Sequence, residues 1–453
     1  MKNYLQILVF FSAILVACTS QTTSTPSSDA TVTRFYFAPD TAYPGLGSAT
    51  FVVDDRVDTG WIYPTDSLKY GTRLDSVVPR FTFAAVPSSS LLTIGDQTIS
   101  LTGIDTLNFN KKPIYVTITA ADGTTKKVYE ISVYVHQIDP DLYMWEELST
   151  AITPPLPMEE KALMAERVFF YYTNDGFQNN LYTSANGRVW TKEPTPAGLP
   201  TDCRVRSICY LDTAQTFYYA DANGIYTSWD GVNWALDATP GYEPVTMLLS
   251  FNDEAWLVVR LTGETALHLA TVDADGAIRL RDDLLPHDTL PADFPVYGFA
   301  AVEYDDKAYL PHALIAGGFN SKGTMVASAY NIEVYARAKE TAEAVYRLTD
   351  YTAMQEERDP FAYRSYVWYH DHLESYGGVD AAMQIVDEIR FSEDAGLSWE
   401  TADSTVSRYP EGYRLRYRPS VMTDGEYLYL IGGQGAEGTY TDAYRVRLNS
   451  ILW

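Results

Sequence analysis

A chain of 453 residues exceeds one ordinary hydrophobic core, so two folded units are expected. Hydrophobic residues make up 46% and charged residues 20%, a globular composition. With 33 Lys and Arg against 59 Asp and Glu, the net charge of −26 argues against nucleic acid and anionic lipid surfaces as partners.

Residues 1–17 place one lysine, Lys2, ahead of a short, mostly apolar run, too short to span a bilayer and suited to a signal peptide. The run ends Leu15-Val16-Ala17-Cys18, which resembles a bacterial lipobox. That resemblance implies cleavage before Cys18, acylation of its thiol, and a lipid-anchored place in the outer membrane or cell envelope. Residues 18–31 are rich in Ser and Thr without apolar periodicity and read as a disordered tether.

Residues 32–138 hold short runs of period two: Thr33-Arg-Phe-Tyr-Phe, Ala49-Thr-Phe-Val-Val, Arg80-Phe-Thr-Phe, Ile114-Tyr-Val-Thr-Ile-Thr and Tyr129-Glu-Ile-Ser-Val-Tyr-Val. Period two predicts strands with one buried face. Asp122-Gly123 predicts a hairpin between the last two. The stretch from Val116 to Val135 resembles the closing hairpin of Ig-like domains of bacterial surface lipoproteins, which implies a spacer or docking module. His136 stands alone and is read as structural.

Residues 142–453 repeat. Trp145, Trp190 and Trp234 are spaced by 45 and 44, Trp399 and Trp453 by 54, and Trp234 and Trp399 by 165. Six units of about 51 residues fit this spacing and predict four-stranded propeller blades. The early Trp145 strand is expected to complete the last blade and close the ring. Ser184-Ala-Asn186-Gly187-Arg-Val-Trp190, Ser228-Trp-Asp230-Gly231-Val-Asn-Trp234 and Ser392-Glu-Asp394-Ala-Gly396-Leu-Ser-Trp399 share one pattern. The acid or amide and Ser cap a turn, Gly takes positive φ, and Trp packs between sheets. The pattern resembles Asp-box repeats, which implies structural turns on the rim. Gly317-Gly318, Gly377-Gly378 and Gly432-Gly433 each follow a hairpin and precede a tyrosine such as Tyr330 or Tyr444, a pattern that resembles kelch repeats.

Cys203 and Cys209 lie in a run read as extended, about 20 Å end to end and too far apart for a disulfide. Both are expected to be buried thiols. His370-Asp371-His372 has the spacing of a metal pair on a strand but falls where the repeats place a hairpin turn, so no metal is expected. Arg206-Ser207, Arg364-Ser365 and Arg418-Pro-Ser420 are read as three arginines in register at the start of the innermost strands, with Tyr297 and Arg167 at matching places in other blades. Converging guanidinium groups suit a carboxylate or another anion.

No nucleophile elbow, phosphate loop or zinc-binding helix motif is present, and no catalytic residue or cofactor is assigned. The expected architecture is all-β: an Ig-like β-sandwich, then a six-bladed β-propeller, with seven blades as the alternative. The chain as a whole resembles bacterial envelope lipoproteins of unknown function with an N-terminal Ig-like domain and a C-terminal kelch/Asp-box propeller. The expected function is non-catalytic, with a monomeric propeller binding a glycan or a protein partner. The alternative is a carbohydrate-active enzyme, either a sialidase-like hydrolase or a kelch-type sugar mutarotase.

Overall fold

The structure is a computed structural model that describes residues 25–449 apart from 57–58, 154–156, 238, 240, 286, 307–308, 338–343, 357 and 405. The signal peptide, Cys18 and Trp453 lie outside the described residues. The chain divides into two compact units, the first reaching Pro140 and the second beginning at Asp141. Among the described residues the protein is all-β, and its helical pieces are the three short 3-10 turns Pro44–Leu46, Val205–Ser207 and Asp282–Leu284.

The first unit is a β-sandwich. Val32–Phe37 pairs with Pro79–Phe83 in a small sheet. A six-stranded sheet runs in the order Phe51–Asp54, Thr59–Pro64, Lys126–Ile131, Ile114–Thr119, Ser89–Ile94, Gln97–Ser100. Both sheets feed one apolar cluster, in which Phe35 meets Phe51 edge-on and Phe37 meets Phe109 edge-on. Three strands were not legible in the sequence. Thr59–Pro64 buries Gly60, Ile62 and Pro64 while exposing Trp61 and Tyr63, so apolar side chains on both faces blur its alternation. Its pairing with Lys126–Ile131 is parallel, which no local turn signals. The predicted hairpin forms: Asp122 accepts the N–H groups of Thr124 and Thr125 at 2.8 Å each, and Gly123 has φ 72°.

The second unit is a six-bladed propeller, each blade a four-stranded antiparallel sheet. Blades 1 to 6 begin with the inner strands Glu159–Ala165, Cys209–Leu211, Tyr242–Phe251, Ala300–Asp305, Ser365–Tyr369 and Ser420–Thr423. The outermost strand of blade 6 is Tyr143–Ser149, in which Trp145 pairs with Val446, so the start of the unit closes the ring. Trp190, Trp234 and Trp399 each precede an outermost strand, and Trp145 lies within one. Tryptophan therefore marks the outer edge of four blades, which is why the spacing counted them.

The repeated turns have one geometry. Ser184 Oγ accepts the Gly187 N–H at 2.9 Å, Ser228 Oγ that of Gly231 at 2.9 Å, and Ser392 Oγ that of Gly396 at 2.8 Å. Asn186, Asp230 and Asp394 accept further N–H groups of the same turns through Oδ1. Trp190 and Trp234 donate their indole N–H to the carbonyls of Gly187 and Gly231. The double glycines also repeat. Gly317, Gly377 and Gly432 have φ of 63°, 62° and 64°, and a Cβ there would meet Phe361, Arg416 O or Glu160 within 2.6 Å.

Candidate functional site

Residues from all six blades line one cavity of about 710 Å³ along the propeller axis. Its wall is built from the inner strands and the residues just before them. At one end stand Glu159, Arg204, Arg206, Tyr297, Tyr363, Arg364 and Arg418; Asp212 and Glu303 lie further along the strands. Small and aliphatic side chains such as Ala162, Ile208, Leu249 and Ala300 line the stretch between.

A staircase of hydrogen bonds fixes the arginine end. Tyr363 donates its N–H to Gly298 O at 2.7 Å, and Arg418 donates its N–H to Tyr363 O at 2.9 Å. Arg206 Nη1 donates to Arg418 O and to Glu160 O, each at 2.8 Å. Gly298, Tyr363 and Arg418 all have positive φ, at 65°, 61° and 57°. The chain therefore enters blades 4, 5 and 6 through the same left-handed step.

The three predicted arginines thus line one cavity, but not in one register. Arg206 precedes the first residue of its inner strand by three positions, Arg418 by two and Arg364 by one. The reason is local. Val205–Ser207 winds into a 3-10 turn, and Arg418 turns left-handed before Pro419. The same turn corrects the reading of Cys203 to Cys209 as a single extended run; both thiols are free and buried. Arg364 is 6% exposed, with its guanidinium 4.2 Å over the Phe361 ring and its stem against Gly378. Arg418 lies 3.8 Å over the Tyr363 ring, and Arg204 lies 5.6 Å over Tyr297. Among the described residues, neither Arg204 nor Arg418 has a carboxylate at ion-pair distance, whereas Arg206 has Glu160 at 3.5 Å. Tyr297 stacks on Phe319 at 4.8 Å, and Phe319 reaches Tyr363 at 5.4 Å. Arg167 is not at this end: it sits in the turn between Ala165 and Val168, at the far end of its inner strand.

Sequence reasoning missed Glu159, Lys161, Arg204, Tyr363, Asp212 and Glu303. Glu159 and Lys161 alternate along an inner strand and both line the cavity, a period-two signal that was available. Burial raises the Glu159 carboxyl against the pull of Arg206, Arg418 and Arg204. Burial also lifts Glu160 to about 7 and lowers the Lys161 ammonium to about 8. The channel walls lift Glu303 to about 7, aided by the charge of Asp305 and Asp212.

His370 and Asp371 form a two-residue hairpin turn with φ of 48° and 62°, as the repeat alignment placed them. His372 Nε2 instead meets Glu374 Oε1 at 3.1 Å, and Glu374 also accepts the hydroxyls of Tyr143 and Tyr376, each at 2.5 Å. Among the described residues, no three His, Cys, Asp or Glu side chains are grouped to hold a metal ion.

A family model described as the DUF6242 beta propeller domain matches residues 139–453, and one described as the DUF6242 N-terminal domain matches residues 19–133. No curated protein matches the chain. Among solved structures it is similar to YjhT, with 11% identity and a TM-score of 0.45 over 65% of this chain and 96% of that one. It is also similar to an α-L-arabinanase of Penicillium chrysogenum complexed with arabinobiose, with 12% identity and a TM-score of 0.40 over 68% of this chain and 100% of that one.

Proposed function

The chain belongs to the DUF6242 family, and from that premise we propose that it is an envelope lipoprotein whose propeller binds an acidic glycan at the arginine end of its channel. One observation carries this reading: guanidinium groups from blades 2, 5 and 6 line one cavity, and Arg204 and Arg418 rest on tyrosine rings without a carboxylate partner among the described residues. In a chain of net charge −26, such cations are the natural seat of a ligand carboxylate. The neighbouring tyrosines supply the aromatic surface that sugar rings pack against.

The finer assignments belong to the same reading. Cys18 carries the lipid and the residues after it the tether, which is shorter than residues 18–31 because Ser27 O accepts the Asp122 N–H and Ala30 is buried in the sandwich core; the sandwich is an Ig-like spacer; the repeated turns are Asp boxes and the double glycines are kelch-like. The chain works as a monomer without a cofactor. A binding role fits the acids better than a hydrolytic one. Glycoside hydrolysis needs two carboxyls about 5–10 Å apart. Among the described residues Glu159 is the one acid that lines the arginine end, while Glu303 lies three residues beyond Ala300 along the inner strand, about 10 Å.

A glycan array probed with wild type, Arg418→Ala and Arg167→Ala tests the proposal. Carboxylated glycans are expected to bind wild type and Arg167→Ala alike and to lose at least tenfold with Arg418→Ala. Equal signals from all three would remove the arginine end as the site. The second reading, a carbohydrate-active enzyme, is favoured by Asp212 and Glu303, a pair of acids in the same cavity with one carboxyl lifted to about 7. It requires measurable turnover of a glycoside or sugar anomer that Glu303→Gln abolishes.

A further inference from the structure

Lys161 projects from the inner strand of blade 1 and lines the cavity. Its ammonium has no carboxylate at ion-pair distance among the described residues; burial and the Arg206 cation disfavour its charged form, against a smaller opposing pull from Glu159. Its Nζ donates to two backbone carbonyls, Arg206 O at 2.9 Å and Ile208 O. A neutral amine has two N–H bonds and one lone pair. Two carbonyls take up both N–H bonds and leave the lone pair without a protein partner among the described residues, in a residue that lines the cavity. A desolvated lysine beside another cation is the arrangement that makes an amine nucleophilic.

We propose that Lys161 forms a reversible imine with a ligand bearing both a carbonyl and a carboxylate, a 2-oxo acid or the open-chain form of a 2-keto sugar acid. This rests on the reading that the arginine end takes a carboxylate, and it adds the second functional group that the ligand carries. Arg206 contributes both its backbone carbonyl to Lys161 and its guanidinium to the arginine end, so one residue couples the two contacts. The Lys161 lone pair attacks the carbonyl carbon and forms the C–N bond. The C=O π electrons move to oxygen, two protons pass from nitrogen to that oxygen, and water leaves as C=N forms. No electron donor or acceptor is needed, and hydrolysis reverses the step.

The lowered Lys161 value of about 8 leaves about a quarter of it neutral at pH 7.5, against about one part in a thousand for an exposed lysine. The nearby Cys209 thiol is held protonated by burial, so it does not compete as the nucleophile.

The test treats the full chain with pyruvate and cyanoborohydride and maps captured lysines by peptide mass spectrometry. Lys161 is expected as the dominant site, with an initial rate that rises through about pH 8 while exposed lysines rise above pH 10. Arg418→Ala is expected to lower pyruvate capture at least tenfold and leave capture of acetaldehyde, which has no carboxylate, unchanged. Capture spread over exposed lysines with no preference for Lys161 overturns the inference. If acidic glycans still bind through Arg418 in that case, the proposed function stands without it. Capture of pyruvate at Lys161 that is indifferent to Arg418→Ala overturns the carboxylate requirement. Peptide mapping on the wild-type chain reads the site of capture without substituting Lys161.

Discussion

Tyr143→Phe probes how the ring is closed. Tyr143 begins the strand that completes blade 6, and its hydroxyl donates at 2.5 Å to Glu374, a fully buried carboxylate of blade 5. Burial beside that carboxylate pushes the phenol far above its ordinary range, so it stays a donor throughout the working pH range. A hydrogen bond to a charged group contributes about 1.5–3 kcal/mol. Glu374 keeps Tyr376 and His372 after the change, and the Phe ring keeps the packing against Val367 and Val446, so about 2 kcal/mol is expected. For a domain of this size that lowers Tm by about 3 °C. Calorimetry on the acyl-free mature chain measures it, and a double-mutant cycle with Glu374→Gln isolates the pair. A Tm unchanged to within about half a degree, or a cycle with no coupling, would refute closure through this contact.

His372 gives a pH signature. Burial lowers its pKa, but the hydrogen bond and charge of Glu374 outweigh that and the net shift is upward. Its stabilisation is therefore full below about pH 6.5 and lost as pH rises through the folded value. Tm measured from pH 5.5 to 8.5 should fall in wild type, and His372→Gln should remove that component. Gly378→Ala forces a Cβ at φ 96° to within 2.4 Å of Arg364 Cγ; a loss above about 2 kcal/mol is expected in denaturant titrations, together with weaker glycan binding. Cys18→Ser should move the protein from the detergent phase to the aqueous phase in phase partitioning, with the propeller still folded by circular dichroism.

Much of the architecture was legible because repetition amplifies weak signals. One Ser-x-Asn-Gly turn is common; three copies, each leading to a tryptophan beside the outer strand of its own blade, are an architecture. The parallel pairing of Thr59–Pro64 was not legible, since its partner lies far away in the chain and its aromatics face outward. The candidate site divided in the same way. Arg206, Arg364 and Arg418 stood out as rare cations at repeated positions. Arg204 and Glu303 carry no local mark, and only the channel makes them neighbours.

The sequence by itself determined the class of fold and the closing strand and narrowed the blades to six or seven, because strand alternation and turn chemistry are local and recur from blade to blade. Only the tertiary structure decided which cations lack a counter-ion and which carboxyls are lifted. Those properties depend on what six inner strands, spread over 265 residues from Glu159 to Thr423, place around one axis. Desolvation and charge act through space, and the order of residues along the chain does not encode that distance directly.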